Sequence, residues 1–245
     1  MENLTSKLEL NYYFENIKRS VFLGIFFLLG FFTFSLIIKS MKQIISLILV
    51  TFYFIIRFSF DFFGIELPSY GGYFIDLIAI FLVILINLKS FFAKPIWKFS
   101  LIFYTLANLF LGIGIFQIGK FLNYLPPFDF NSLELLVFLL LIGPVLEELL
   151  FRFAVWEALK EWIASRYIVL ISSMLFSLFH FTVIFNADPS YRGFICYQTI
   201  YVFGISLLWG YLRQKSGSWV CPLVAHFLFN LGFYLGTFVP SMIEI

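Results

Sequence analysis

Two adjacent carboxylates, Glu147 and Glu148, lie within an otherwise apolar run that reads Gly-Pro-Val-Leu-Glu-Glu-Leu-Leu-Phe-Arg from Gly143 to Arg152. Ionisable side chains at membrane depth are costly, so they usually face a protein interior or a wet cavity and mark function. Neighbours on a helix diverge by about 100°, so the two carboxylates cannot share a face. Glu148 stands four residues before Arg152, acid before base, which is the favourable order for an ion pair. Glu147 has no such partner: either a group on another helix balances its charge or the carboxyl takes up a proton. A carboxylate placed that way is a candidate general base.

Both histidines of the chain also fall in apolar segments. His180 follows Phe176 by one helical turn, and His226 and Asn230 are spaced so that both project from one helix face. A rise of about 1.5 Å per residue puts His180 about 20 Å into its segment, a depth Glu147 matches if its helix continues past Arg152. His226 reaches that depth only if Pro222 follows a kinked or re-entrant start. Taken one at a time, a buried histidine or amide is ordinary interhelical glue. Two carboxylates, an arginine, both histidines and an amide within a few segments point instead to chemistry.

The elements that must position these groups are membrane spans. Hydrophobic residues make up 62% of the 245 residues and charged residues only 12%, too few to cover a water-soluble domain of this length. The sequence predicts an all-α, polytopic transmembrane helical bundle of about eight spans. Their cores are near residues 21–38, 44–63, 73–92, 99–122, 133–157, 167–185, 194–212 and 219–239. Lys and Arg recur in alternate connections, at Lys39 and Lys42, Lys89 to Lys98, Lys160 and Arg166, and Arg213 and Lys215, so that side should be cytoplasmic. Lys7, Lys18 and Arg19 would then lie on the opposite side.

Several polar residues read as packing. Arg57 and Asp61 are spaced as a satisfied pair, Asp76, Asn87, Asn108, Gln117 and Lys120 as interfacial or interhelical groups, and Gly112, Gly114 and Gly119 as points of close helix approach. Glu157, Lys160 and Glu161 suggest a helix end emerging among headgroups. Cys196 and Cys221 read as small buried hydrophobes rather than a disulfide or nucleophile. A formal charge of +2 without a basic run argues neither for nucleic acid nor for an anionic partner, so no nucleic-acid partner is expected.

Glu147-Glu148-x-x-x-Arg152, Phe176-x-x-x-His180 and His226-x-x-x-Asn230, in that order, resemble the three motifs of the CPBP family. That family contains the type II CAAX prenyl endopeptidases, also called glutamyl intramembrane or Rce1-like proteases, and the bacterial Abi proteins. Ser172 and Ser173, and Ser216 to Trp219 with Pro222, are similar to the family's pattern as well. Phe153 departs from it, where many members carry glycine. The resemblance implies hydrolysis of a peptide bond in the membrane. Glu147 would activate a water with the help of His180. His226 and Asn230 would donate to the oxyanion, and Glu148 and Arg152 would hold the helix. It divides the chain into residues 1–132, spans without a readable motif, and residues 133–245, a CPBP-like catalytic membrane core.

The expected partners are the lipid bilayer and a membrane-associated or lipidated peptide or protein substrate, and no cofactor is required. Zinc held by Glu147, His180 and His226 is the alternative chemistry, although no His-Glu-x-x-His pattern is present. A non-catalytic binding partner, such as a bacteriocin-immunity or regulatory protein, is the alternative from another functional class. The expected location is a multi-pass integral membrane protein, in the plasma (inner) membrane if the host is bacterial.

Overall fold

The computed structural model describes residues 41–65, 71–124 and 126–240. The expected span at 21–38 lies outside them. Among the described residues there is no strand, and the chain folds as a helical membrane bundle. Helix α1 (Met41–Phe63) buries Leu47, Val50, Phe54 and Phe58, a stripe at helical spacing. It stops at Gly64, whose φ of 62° is left-handed backbone that favours glycine. Helix α2 (Gly71–Ile86), the short α3 (Leu88–Phe91) and α4 (Phe99–Phe121) follow.

The next helical run is unbroken through residues 133–159 but not uniform. α5 (Leu133–Val137) passes through a π-helical turn (Phe138–Ile142) into α6 (Gly143–Glu148), then a second π-helical turn (Leu149–Ala154) leads into α7 (Val155–Leu159). The first widened turn has a visible cause. Pro144 has no N–H to give to the carbonyl four residues back, and its ring crowds that carbonyl. Gly143 fits for a related reason: its N–H bonds Phe138 O, and a Cβ there would stand 2.9 Å from that oxygen. α8 (Ser165–Phe181), two 3-10 turns (Thr182–Phe185 and Pro189–Tyr191), α9 (Arg192–Ser216) and α10 (Val220–Gly236) complete the bundle. α9 ends on Gly217, with φ 74° and its N–H bonded to Arg213 O, a left-handed helix stop.

Four helices are long and apolar enough to cross a membrane: Met41–Phe63, Phe99–Phe121, Ser165–Phe185 and Pro189–Ser216. Two shorter apolar helices, α2 and α10, and the interrupted 133–159 run occupy the other three expected positions, so the described residues do not reach a count of eight. Large apolar side chains such as Phe52, Phe81, Phe103, Phe110 and Ile200 point outward, as lipid-facing residues do.

The parallel pair α4 and α10, in contact from Thr105 and Cys221 at one end to Gln117 and Gly236 at the other, meets through glycine. A Cβ on Gly112 would run into Phe229 O, and one on Gly232 into Leu109 O. Gly119 is likewise close to Tyr124 and Tyr197, whereas Gly114 faces open space. The expected interhelical amides are found: Asn87 donates to Ser46 Oγ at 2.9 Å and Gln117 to Gly236 O at 2.8 Å. The basic connections gather at one end. There Lys160 Nζ reaches Ser90 Oγ, Ile96 N bonds Ser216 O and Trp219 Nε1 donates to Phe91 O. The opposite end holds Gly64 beside Asn186 and Tyr124 beside Tyr197.

Three expectations change. Asp76 is buried rather than interfacial, because Tyr53 Oη donates to it at 2.7 Å. Glu157 does not emerge among headgroups: it is buried between Lys160 at 2.5 Å and Arg213 at 3.8 Å. Cys221 is buried as expected, but Cys196 is exposed, and both are free thiols.

Candidate active site

Glu147 and Glu148 end α6, between the two widened turns, and they diverge as neighbours must. Glu148 turns inward and is fully buried. Its Oε2 lies 3.4 Å from Arg152 Nε, so the pair expected from spacing forms. Its Oε1 lies 3.0 Å from His226 Nδ1 on α10, a partner that spacing along one helix cannot show. A carboxylate beside a guanidinium only accepts, so His226 Nδ1 donates to it.

Arg152 is fully buried and held on several sides. Its Nη2 donates to Ser206 Oγ at 2.8 Å and, more distantly, to Ser206 O at 3.3 Å. Its Cζ stands 4.9 Å from the Phe176 ring centre and 5.6 Å from that of Trp209, within cation–π range. Its backbone carbonyl, in the second widened turn, accepts from Arg213 Nε at 2.9 Å. Phe153, the departure from the family pattern, is fully buried edge-on to Phe91.

Glu147 faces the other way and is a quarter exposed. Its Oε2 is 3.6 Å from His226 Nε2, so the imidazole stands between the two carboxylates, one nitrogen toward each. His180 touches neither. Its Nδ1 pairs with Phe176 O at 3.0 Å; a carbonyl cannot donate, so Nδ1 carries a hydrogen, and in the neutral ring Nε2 keeps its lone pair. Asn230 Nδ2 donates to Leu139 O in the first widened turn at 2.7 Å, leaving its second N–H.

Glu147, His180, His226 and Asn230 all line one chamber of about 270 Å³, together with aromatic side chains including Phe176, Tyr201 and Trp209. Tyr73 and Glu147 also line an adjoining cavity of about 450 Å³ with Arg57, Asp61 and Asp76. In that cavity Arg57 and Asp61 form their expected pair, at 2.8 Å. Among the described residues no three His, Cys, Asp or Glu side chains are grouped to hold a metal ion, so Glu147, His180 and His226 do not form a zinc ligand set as they stand.

Sequence reasoning missed Ser206, Trp209 and Arg213. These three share one stripe of α9, and all of them touch Arg152. A readable signal existed: a serine, a tryptophan and an arginine recur at three- and four-residue spacing in a span. Arg213 instead reads as a basic residue of a connection, whereas its side chain is almost wholly buried.

Residues 129–232 match the model of the family described as type II CAAX prenyl endopeptidase Rce1-like. The chain therefore carries an Rce1-like segment that holds all three motifs, which supports a protease-type function within the membrane. Comparison with curated proteins and with solved structures gives no match.

Proposed function

We propose that this chain, with its Rce1-like segment as the starting point, is an intramembrane endopeptidase that hydrolyses a peptide bond of a membrane-associated or lipidated peptide by glutamate-activated water. One observation carries the reading: Glu147, His180, His226 and Asn230, from three separate helical runs, converge on one chamber, with Glu148 and Arg152 buried behind them.

Charge arithmetic ties the parts together. Glu148 and Arg152 cancel, so a neutral cluster requires one proton shared between Glu147 and His226. With that proton on His226, Glu147 is a free carboxylate and Nε2–H is a donor. A water held between Glu147 and His180 Nε2 then gives its proton to Glu147 as its oxygen bonds the scissile carbonyl carbon. The resulting oxyanion receives His226 Nε2–H and the second N–H of Asn230. When the C–N bond breaks, Glu147 returns the proton to the leaving nitrogen.

The deciding experiment incubates purified protein in detergent with a library of membrane peptides, as wild type, as Glu147→Gln, and as wild type with a zinc chelator. Cleavage by wild type with and without chelator, and none by Glu147→Gln, supports the proposal. Loss on chelation turns it to zinc chemistry. No cleavage by a folded wild type favours a non-catalytic peptide-binding role in the same chamber.

A further inference from the structure

The imidazole of His226 works only if one nitrogen faces Glu148 and the other faces Glu147, and a stacking contact on the ring's face comes from outside the three motifs. Trp209 lies nearly parallel to it, with ring centres 4.0 Å apart and planes 24° apart. An indole can slide and rotate unless its N–H is tied. Here Trp209 Nε1 donates to Asn108 Oδ1 at 2.9 Å across to α4. Asn108 is in turn fixed, because its Nδ2 donates to Tyr104 O one helical turn back at 2.7 Å. The amide therefore has one orientation, with oxygen toward the indole and nitrogen toward the carbonyl. Asn108 is fully buried and Trp209 almost so. Asn108 also precedes the matched residues 129–232, so this tie comes from the part of the chain without a family signal.

We propose that Asn108 and Trp209 are positioning residues for the reaction: the amide of α4 sets the indole of α9, and the indole sets the plane of the His226 imidazole against Glu147 and Glu148. Neither residue touches the reacting atoms. A hydrogen bond in a dry interior is strongly directional and costly to leave unmade, and a stacked face transmits that orientation to the next ring. The inference rests on the proposed hydrolysis, but its spectroscopic test does not.

The chain has two histidines, so a histidine-selective ¹⁵N label gives two sets of ring signals, assigned by the loss of one set in His226→Gln. Asn108→Leu keeps the branched shape and removes the acceptor without touching His226, Asn108→Asp as the protonated acid keeps an acceptor oxygen for the indole and an O–H for Tyr104 O, and Trp209→Phe removes the indole N–H.

Asn108→Leu should move the His226 ring signals and leave those of His180 in place. It should lower kcat about tenfold or more, with KM within about twofold, as a misaimed catalytic group does. Asn108→Asp should restore both readouts toward wild type. Combining Asn108→Leu with Trp209→Phe should cost no more than the worse single change, because the two act through one bond.

Unmoved His226 signals with wild-type kcat in Asn108→Leu would overturn the proposal, as would an effect confined to KM, additive losses in the double variant, or failure of all the variants to fold. An inactive wild type would sink the proposed hydrolysis while the ring signals still decide the positioning.

Discussion

At the scale of single residues, the site gathers two carboxylates, a guanidinium and an imidazole within ion-pair distance of one another. Replacing Glu147 with Gln keeps its shape and removes the base, so peptide cleavage should fall by at least about a hundredfold, with helix content and melting temperature unchanged. Arg152→Met leaves Glu148 buried beside an uncharged chain, and breaking one partner out of a buried pair costs about 3–5 kcal/mol. Denaturation in detergent should show that loss, and Glu148→Gln added to Arg152→Met should recover much of the stability without recovering cleavage.

The pairing of Glu148 with Arg152 was legible because both lie on one helix. The bond from His226 to the same carboxylate was not, since 78 residues separate the partners and only packing joins them. Glu157 and Asp76 were misread for the same reason. Each looks like a group at a span end, and each is buried by a partner from elsewhere, Arg213 for Glu157 and Tyr53 for Asp76.

At the scale of elements, the register of α10 is set by its contact with α4. Gly232→Ala would place a methyl against Leu109 O, where backbone cannot give way, and should destabilise the protein by about 1–3 kcal/mol or more. Gly114→Ala on the same pair meets nothing within 4 Å and should be neutral or stabilising by about 0.5–1 kcal/mol, since alanine is the better helix former. Melting curves in detergent compare the two directly, and equal losses would contradict this account.

The helices themselves were readable because apolar length and breaking residues mark them: six of the eight expected cores overlap a single apolar helix. The widened turns were not readable. A template of 3.6 residues per turn has no place for them, although Pro144 was the available clue to the first.

At the scale of the molecule, the helices before residue 133 and those after it share one core, which runs from Leu47 on α1 to Phe233 on α10. The basic connections at one end should face the cytoplasm. With Cys196 and Cys221 replaced by serine, a cysteine in place of Ser190 should react with a membrane-impermeant maleimide in intact cells. One in place of Lys94 should react only after permeabilisation. The reverse pattern would invert the orientation.

The two widened turns carry one more consequence, which concerns counting. A π turn accommodates one residue more than an α turn, so each widened turn takes up a residue without rotating α6 against α5 or α7. Removing one residue from Phe138–Ile142 would give a regular α turn and leave Glu147 near its present phase, whereas removing one from a regular turn of α5 would swing Glu147 by about 100° from its chamber. In this segment chain length sets where Glu147 points: a deletion in a regular turn, with no motif residue changed, should turn the carboxylate away from its chamber, and a compensating insertion upstream of Pro144 should re-aim it.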